Sequence, residues 1–293
     1  AAYAYNQLNN IGDHVKRVIL LGPVHRVPVR GLALPGCEAF ATPLVGFADG
    51  ADPLFEAYRD HVGPFHWTPS EIFDQTFPGV RVDAAQLSVV AWILPQTKAT
   101  KDDNRRPSRY PSERWSRART FGEEGNVKLR RHIEKALCAA GMQAVAPMLS
   151  PQWTRKMSRR FGYASTWSER HAAYACGLGT FGLSDGLITA VGKAVRIGSV
   201  VARVRVDPTP RAYSHHQAYC LFYTQGICGK CIDRCPAGAI TVRGHDKVRC
   251  KTYIRQVAMP YVRDRFGFPG KGCGLCQTDV PCESTIPTQE CVE

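Results

Sequence analysis

The chain has no apolar run near the roughly 18–20 residues that a membrane helix needs. Residues 18–24 make the sort of short apolar run that a buried strand gives. Its start, AAYAYNQLNN, lacks a basic region followed by an apolar one, so no secretory signal is read there. Arg105-Arg106 lies too far along to be a twin-arginine export signal. No membrane association is expected and cytoplasm is the expected compartment, with a leader trimmed before Ala1 left open. Repeats and low-complexity tracts are missing, which sets aside solenoids and disordered linkers. Acidic residues are scarce, 25 against 38 Lys and Arg, for a formal charge of +13. What is present is an ordinary globular composition, 44% hydrophobic over 293 residues, enough for one large domain or a medium one plus a small one. It also has twelve cysteines.

Much of the positive charge sits between positions 98 and 119: Lys98, Lys101, Arg105, Arg106, Arg109, Arg114, Arg117 and Arg119, interleaved with Tyr110 and Trp115. A basic loop here would suit a phosphate, a nucleic acid or an anionic cofactor, or simply be a solvated face. Around it, Asp52-Pro53 predicts a helix to about Val62, and QLSVVAWIL (86–94) a buried strand ended by Pro95. The spacing of Leu129, Ile133, Ala136 and Leu137 predicts a helix over 124–140, with Gly141 as its left-handed cap. A strand over 142–146 follows, ended by Pro147. Thr166-x-x-Glu169 reads as a capping box opening a helix over 167–176. Residues 187–191 and 200–206 read as strands, the second with one apolar face.

Between that helix and strand stands ACGLGTFGL, which fits G-x-G-x-x-G from Gly177 to Gly182. A dinucleotide fingerprint needs a strand before the glycines, a helix after them and an acid about 20 residues on. Here a helix precedes, a strand follows, and Ala202 stands where the acid belongs. The hexapeptide is a helix-to-strand loop whose glycines allow close approach or positive φ.

After Asp207 to Tyr213 the composition turns to cysteine. CGKCIDRCPAGAI contains Cys228-x2-Cys231-x3-Cys235-Pro236, the latter part of the bacterial ferredoxin run C-x2-C-x2-C-x3-C-P. The first ligand of that run would fall on Gln225; Cys220 is the substitute. A second group comprises Cys250, Cys273-x2-Cys276 and Cys282. Because the cysteine before Pro serves the other cluster in two-cluster ferredoxins, the expected sets interlock. Cys220, Cys228, Cys231 and Cys282 form one set; Cys235, Cys250, Cys273 and Cys276 form the other. Structural zinc and disulfides are the competing readings; zinc motifs do not call for Cys-Pro or for the C-x2-C-x3-C progression, and disulfides would suit a small secreted chain, which nothing in the sequence indicates. Two oxidised clusters would lower the net charge to about +9. Cys37, Cys138, Cys176 and Cys291 are left over, Cys138 and Cys176 as plain buried helix thiols.

From 168 to 236 the sequence resembles the cobalamin-dependent reductase superfamily that includes epoxyqueuosine reductases and reductive dehalogenases. The residues that carry this are SERHAAYACGLGTFGLSDGLITAVGKAVRIGSVVARVRVD and CGKCIDRCPAGAI; a looser match reaches back to about Ala118. The resemblance implies an α+β fold: a nitroreductase-like, cobalamin-binding-type domain over 1–210, then a small bacterial two-[4Fe-4S] ferredoxin-like domain over 211–293. It implies that Gly177, Leu178, Gly179, Thr180, Gly182, Thr189, Gly192 and Gly198 line cobalamin, where backbone amides could approach the corrin amides and the phosphate. ARTFGEEGNVKLRRHIEKAL is similar to the stretch that opens the active-site helix of epoxyqueuosine reductases with a characteristic Asp. Laid without gaps, that Asp falls on Glu124, which would act as general acid in a dry pocket with Arg119 and Arg130 nearby. Two acids in a helix's first turn also stabilise its dipole without chemistry. Dehalogenases tend to use a Tyr at about this place, and none stands here.

The expected activity is reductive C–O or C–X cleavage, fed by an external low-potential donor such as a ferredoxin, a flavodoxin or a reductase. The expected substrate is a small molecule or a modified nucleoside. Helical repeats that help epoxyqueuosine reductases hold tRNA do not follow Cys282, which lowers the expectation of tRNA. The alternative is an iron–sulfur electron-transfer protein without cobalamin, serving a partner.

Overall fold

A computed structural model describes residues 44–291. The strand expected over 18–24 and Cys37 lie outside the described residues. The fold is a mixture of helix and sheet built on a four-stranded antiparallel sheet of order β1-β2-β8-β3: β1 Leu44–Asp49, β2 Ser88–Pro95, β3 Ala144–Val145 and β8 Val195–Ala202. All eight residues of β2 are buried because both faces of the sheet are covered. Val89, Ala91 and Ile93 point into one core with helices α1 (Leu54–His61), α2 (Pro69–Thr76) and α5 (Glu169–Ala175). Val90, Trp92 and Leu94 point into another, against Leu129 and Ile133 of helix α4 (Glu113–Ala139). Three layers therefore enclose two cores.

Several sequence expectations need correction. The stretch after Pro95 is not a loop: Thr97 caps helix α3 (Lys98–Arg105), and Ser112 caps α4 eleven residues before the expected start. Much of the charge there is spent within the chain, on Lys98–Asp102 at 2.6 Å, Arg114–Asp103 at 2.8 Å and Arg117–Glu113 at 2.7 Å. Strand β8 begins at Val195 rather than at 200 and is covered on both faces, since α4 and α5 both pack against it. Thr166 does not cap α5; its hydroxyl accepts from the Thr154 N–H, and Ser168 is the N-cap residue, its hydroxyl bonded to His171 Nδ1 at 2.8 Å rather than to the helix backbone. Cys138 is exposed on α4, not buried. The helix after Pro53 and the left-handed Gly141, at φ +81°, stand as read.

Two small hairpins precede and follow α5: β4 (Arg155–Ser158) with β5 (Gly162–Ser165), and β6 (Gly179–Phe181) with β7 (Leu187–Thr189). The glycine hexapeptide, expected as a helix-to-strand loop, instead runs from the end of α5 into strand β6, which takes up Gly179–Phe181. Beyond 203 the chain runs without regular secondary structure, then folds into short pieces: α6 (Leu221–Gln225), α7 (Lys230–Asp233), β9 (Ile240–Thr241), β10 (Gly244–His245) and α8 (Lys247–Tyr253). One π-helical turn (Ile254–Ala258) then leads into α9 (Met259–Phe266). A third core joins this region to the glycine hairpin through Leu183, Ile188, Cys220, Cys231, Ile240, Val280 and Cys282. Among the described residues no helix is long and apolar enough to cross a membrane.

Candidate metal centre

The first cysteine set converges. Cys220 precedes α6, Cys228 and Cys231 flank the start of α7, and Cys282 arrives from the C-terminal segment; all four line one small cavity together with Lys193. Cys220, Cys231 and Cys282 are buried. Burial, with Cys276, Cys282 and Cys220 beside it, pushes the Cys231 thiol up to about 12. Such a thiol ionises when a metal takes the place of its proton. Lys193 is buried and lies close enough to Cys282, Cys231 and Cys276 for its ammonium to be favoured by them.

The second set is held by loop and helix ends. Burial raises Cys273 to about 12, with Cys276 and Cys235 adding to the shift. Cys250 is likewise raised to about 12 by burial and by Cys273, Cys276 and Cys235. The backbone N–H of Ala239 donates to Cys235 Sγ at 3.3 Å. Each set therefore takes members from both sequence groups, Cys282 crossing one way and Cys235 the other. Among the described residues no cysteine is in a disulfide. Nor do three His, Cys, Asp or Glu side chains there form a group suited to one metal ion.

The C-terminal segment is pinned to the sheet and to α3. Backbone N–H groups of Lys193 and Ala194 donate to the carbonyls of Cys282 and Glu283, at 2.8 and 3.2 Å. Arg105 grips the Glu283 carboxylate at 2.9 and 2.6 Å. Asn104 Nδ2 donates to Thr278 Oγ1 at 3.1 Å, and Arg234 Nη2 donates to the Asn104 carbonyl at 2.9 Å.

A buried ionic network links α4, the start of α5 and strand β8. Arg130 donates to Glu123 at 2.9 Å, to Glu169 at 2.8 Å and to the Ile197 carbonyl at 3.1 Å. Arg196 donates to the other oxygen of Glu123 at 2.5 Å and to the Ala118 carbonyl at 2.8 Å. Ser199 donates to Glu169, whose carboxyl burial raises to about 7. Burial and the neighbouring Arg119 guanidinium lower Arg196 to about 9. Sequence reasoning missed this network; the only signal was Arg and Glu at positions that a buried helix face would give to apolar residues. Glu124, the expected acid, lies in the interior of α4 and is exposed, so neither the helix's first turn nor a dry pocket describes its place.

Two buried polar atoms have no partner among the described residues, His66 Nε2 and Trp115 Nε1. Leaving such a group unpaired costs on the order of 1–3 kcal/mol. His66 sits among Tyr58, Trp167 and His171, and burial lowers its imidazole to about 4. The Cys176 thiol donates to the Val89 carbonyl at 3.3 Å and is raised by burial, an inert packed sulfur.

No family model matches the chain. A curated epoxyqueuosine reductase of Bacillus anthracis is 31% identical over 119 residues, 39% of this chain and 29% of that protein. The chain is similar in sequence to an epoxyqueuosine reductase. It spans less than a third of the length of that relative. A solved epoxyqueuosine reductase of Bacillus subtilis is 19% identical, covering 84% of this chain and 63% of that one, with a TM-score of 0.43. Another, bound to an epoxyqueuosine-modified tRNA-Tyr stem loop, is 19% identical over 82% of this chain and 61% of that one, at 0.46.

The resemblance implies cobalamin, and the residues it names can be tested for fit. The room that a side chain would need at the glycines is already filled by this chain. A Cβ on Gly179 would lie 2.2 Å from the Ile188 carbonyl oxygen, one on Gly192 2.1 Å from that of Glu283, and one on Gly198 2.2 Å from the Trp92 ring. Gly177 faces the Thr209 and Pro210 carbonyls, and Gly182 faces Ile188. Backbone donors are spent as well: Gly177 donates to Tyr174, Leu178 to Ala173, Gly182 to Gly186, and Thr189 and Gly192 to each other. Thr180 and Thr189 are fully buried. These eight residues do not fit an open corrin cradle. The cysteines do fit two clusters.

Proposed function

We propose that the chain is an iron–sulfur oxidoreductase of the epoxyqueuosine reductase kind. In this reading Cys220, Cys228, Cys231 and Cys282 hold one [4Fe-4S] cluster, and Cys235, Cys250, Cys273 and Cys276 hold the other. The observation that carries it is the crosswise sharing of cysteines, which supports a ferredoxin-like unit over 211–293 against a nitroreductase-like unit over 1–210. When bound, the clusters supply single electrons. The chain's own part is to exclude water from the thiolates, to set Lys193 as a fixed cation beside both sets, and to seat the C-terminal segment on the sheet.

The electrons come from an external low-potential carrier and serve reductive C–O cleavage of a modified nucleoside, which the relative's name indicates. tRNA is the carrier of that nucleoside in the stem-loop complex, and it is our proposed substrate class. Glu124 remains the acid that the family correspondence names. Its exposed position suits proton exchange with water beside a surface-bound substrate. Cobalamin stays attached to this reading through the sequence likeness alone, and no step is assigned to it. The closed glycine loop favours a second reading, an electron-transfer protein that serves a partner without a corrin.

Anaerobically reconstituted protein should contain about eight iron and eight sulfide per chain, and Cys282→Ser and Cys250→Ser should each lose about half. A colourless chain that binds zinc instead would overturn the proposal. Titration with cobalamin then separates the readings: saturable binding with a base-off spectrum supports the corrin enzyme, and no binding supports the partner-serving protein.

A further inference from the structure

The second cysteine set has an unused donor beside it. Cys273 and Cys276 bracket Gly274, whose φ of +65° turns the chain into the short 3-10 turn Leu275–Gln277. Trp115 of α4 rests directly on that glycine. A Cβ built on Gly274 would lie 2.1 Å from Cε2, Cζ2 and Nε1 of the indole, the edge that carries the N–H. Any side chain at 274 would therefore push the indole away.

The indole is 1% exposed, and its Nε1 has no acceptor among the described residues. A buried Trp N–H normally finds a partner. Three other indoles do: Trp92 donates to Asn126 Oδ1 at 3.0 Å, Trp153 to the Trp167 carbonyl at 3.1 Å, and Trp167 to Ser199 Oγ at 3.0 Å. Within the turn, the backbone at Leu275 and Gly274 acts to lower the Cys273 thiol, against the larger upward push of burial. The donor edge thus lies against the turn that runs from Cys273 to Cys276.

We infer that the Trp115 Nε1–H donates a hydrogen bond to a sulfur of the cluster held by Cys235, Cys250, Cys273 and Cys276, and so tunes its potential. This rests on the iron–sulfur reading. Reduction adds one electron whose charge spreads onto the sulfurs, while the proton stays on the indole nitrogen. A donor strengthens its bond to the more negative cluster, so it stabilises the reduced form and raises the potential. Trp115 is in this sense a positioning residue for electrons; it touches no substrate.

The test uses the full chain labelled with 15N-indole tryptophan, with cluster content established first by iron and sulfide analysis. Pulsed EPR of the reduced clusters should show a 15N hyperfine coupling that disappears in Trp115→Phe. Redox titration of that variant should show one cluster shifted to lower potential and the other unmoved. If Trp115→Phe does not fold, the coupling in the labelled wild-type protein decides alone. Absence of coupling in cluster-loaded wild type, its persistence in Trp115→Phe, or unchanged potentials in the folded variant each overturn the inference. A chain that takes up no iron refutes the iron–sulfur reading itself, a result distinct from loaded clusters without coupling.

Discussion

Gly192→Ala should do far more damage than an ordinary loop substitution. Gly192 has φ +80°, and an alanine there meets backbone: the Glu283 carbonyl oxygen at 2.1 Å and the Ser284 nitrogen at 2.3 Å. Neither can rotate aside as a flexible side chain would. Holding a non-glycine residue in this left-handed region costs about 1–2 kcal/mol. Displacing the 282–284 segment also breaks the bonds from Lys193 and Ala194 to the Cys282 and Glu283 carbonyls, each contributing about 0.5–1.5 kcal/mol. The sum is about 2–5 kcal/mol, a large share of a typical stability of about 5–15 kcal/mol. Gly141→Ala provides the control, because Gly141 has nearly the same φ of +81° but no neighbour within 4 Å of its would-be Cβ. Urea unfolding should show Gly141→Ala losing only the conformational part. Gly192→Ala should lose that and the seating of Cys282, with iron falling from about eight towards four per chain. Equal losses in the two variants, with full iron in both, would refute the idea that Gly192 exists to admit the C-terminal segment.

Other outcomes follow from the buried ionic network. Arg130→Met leaves Glu123 and Glu169 without their shared guanidinium and should cost about 3–5 kcal/mol in urea unfolding, with part recovered in the Arg130→Met/Glu169→Gln double variant. Because the folded-state pKa of Glu169 is raised from 4.5 to about 7, the folded protein holds a proton that the unfolded chain releases. Its contribution is complete below about pH 4.5 and is lost as pH rises through about 7, by up to about 3 kcal/mol. Wild type should therefore lose stability relative to Glu169→Gln across pH 5 to 8; parallel curves would show that the carboxyl titrates normally. Gly198→Ala, which sets a methyl 2.2 Å from the Trp92 ring in the sheet, should lower the unfolding midpoint while leaving iron content at its wild-type value.

How much could be read from the sequence depended on whether the physics was local. Pro53, Pro95 and Gly141 set element ends by covalent geometry, and the structure has those ends. The apolar run of β2 was legible because a strand covered on both faces shows no alternation. Tertiary choices were not legible. Thr68-x-x-Glu71 and Thr166-x-x-Glu169 show the same pattern, yet only the first forms the reciprocal box, with Glu71 Oε2 accepting from Thr68 N at 2.8 Å. Glu169 turns instead to Arg130 and Ser199, while the buried Thr166 N–H donates to the Thr154 carbonyl at 3.0 Å. Helix α4 hid its first eleven residues behind basic character and behind Gly122, a poor helix former. That glycine is explained only by Arg196, whose Nε would lie 3.0 Å from a Cβ there. The cysteine spacing was legible up to its chemistry. Which sulfurs meet is decided by where Gly192 and Arg105 hold residues 282 and 283.

A missing side chain records that something comes close, without saying what. At Gly177, Gly179, Gly192 and Gly198 the neighbours are carbonyls and a ring of this same chain, so a glycine pattern shared with a cofactor-binding family need not transmit the cofactor. What the pattern does transmit is the joint between sheet and cysteine region. Gly182 and Leu183 border the cavity of the first cysteine set, and Lys193 follows Gly192 directly into it. Moving these glycines would therefore move the cavity that the four cysteines line. In the proposed reading this physical coupling gives the larger scaffold a part: it supplies one wall, one cation and, through Trp115, one donor edge to the space among the cysteines.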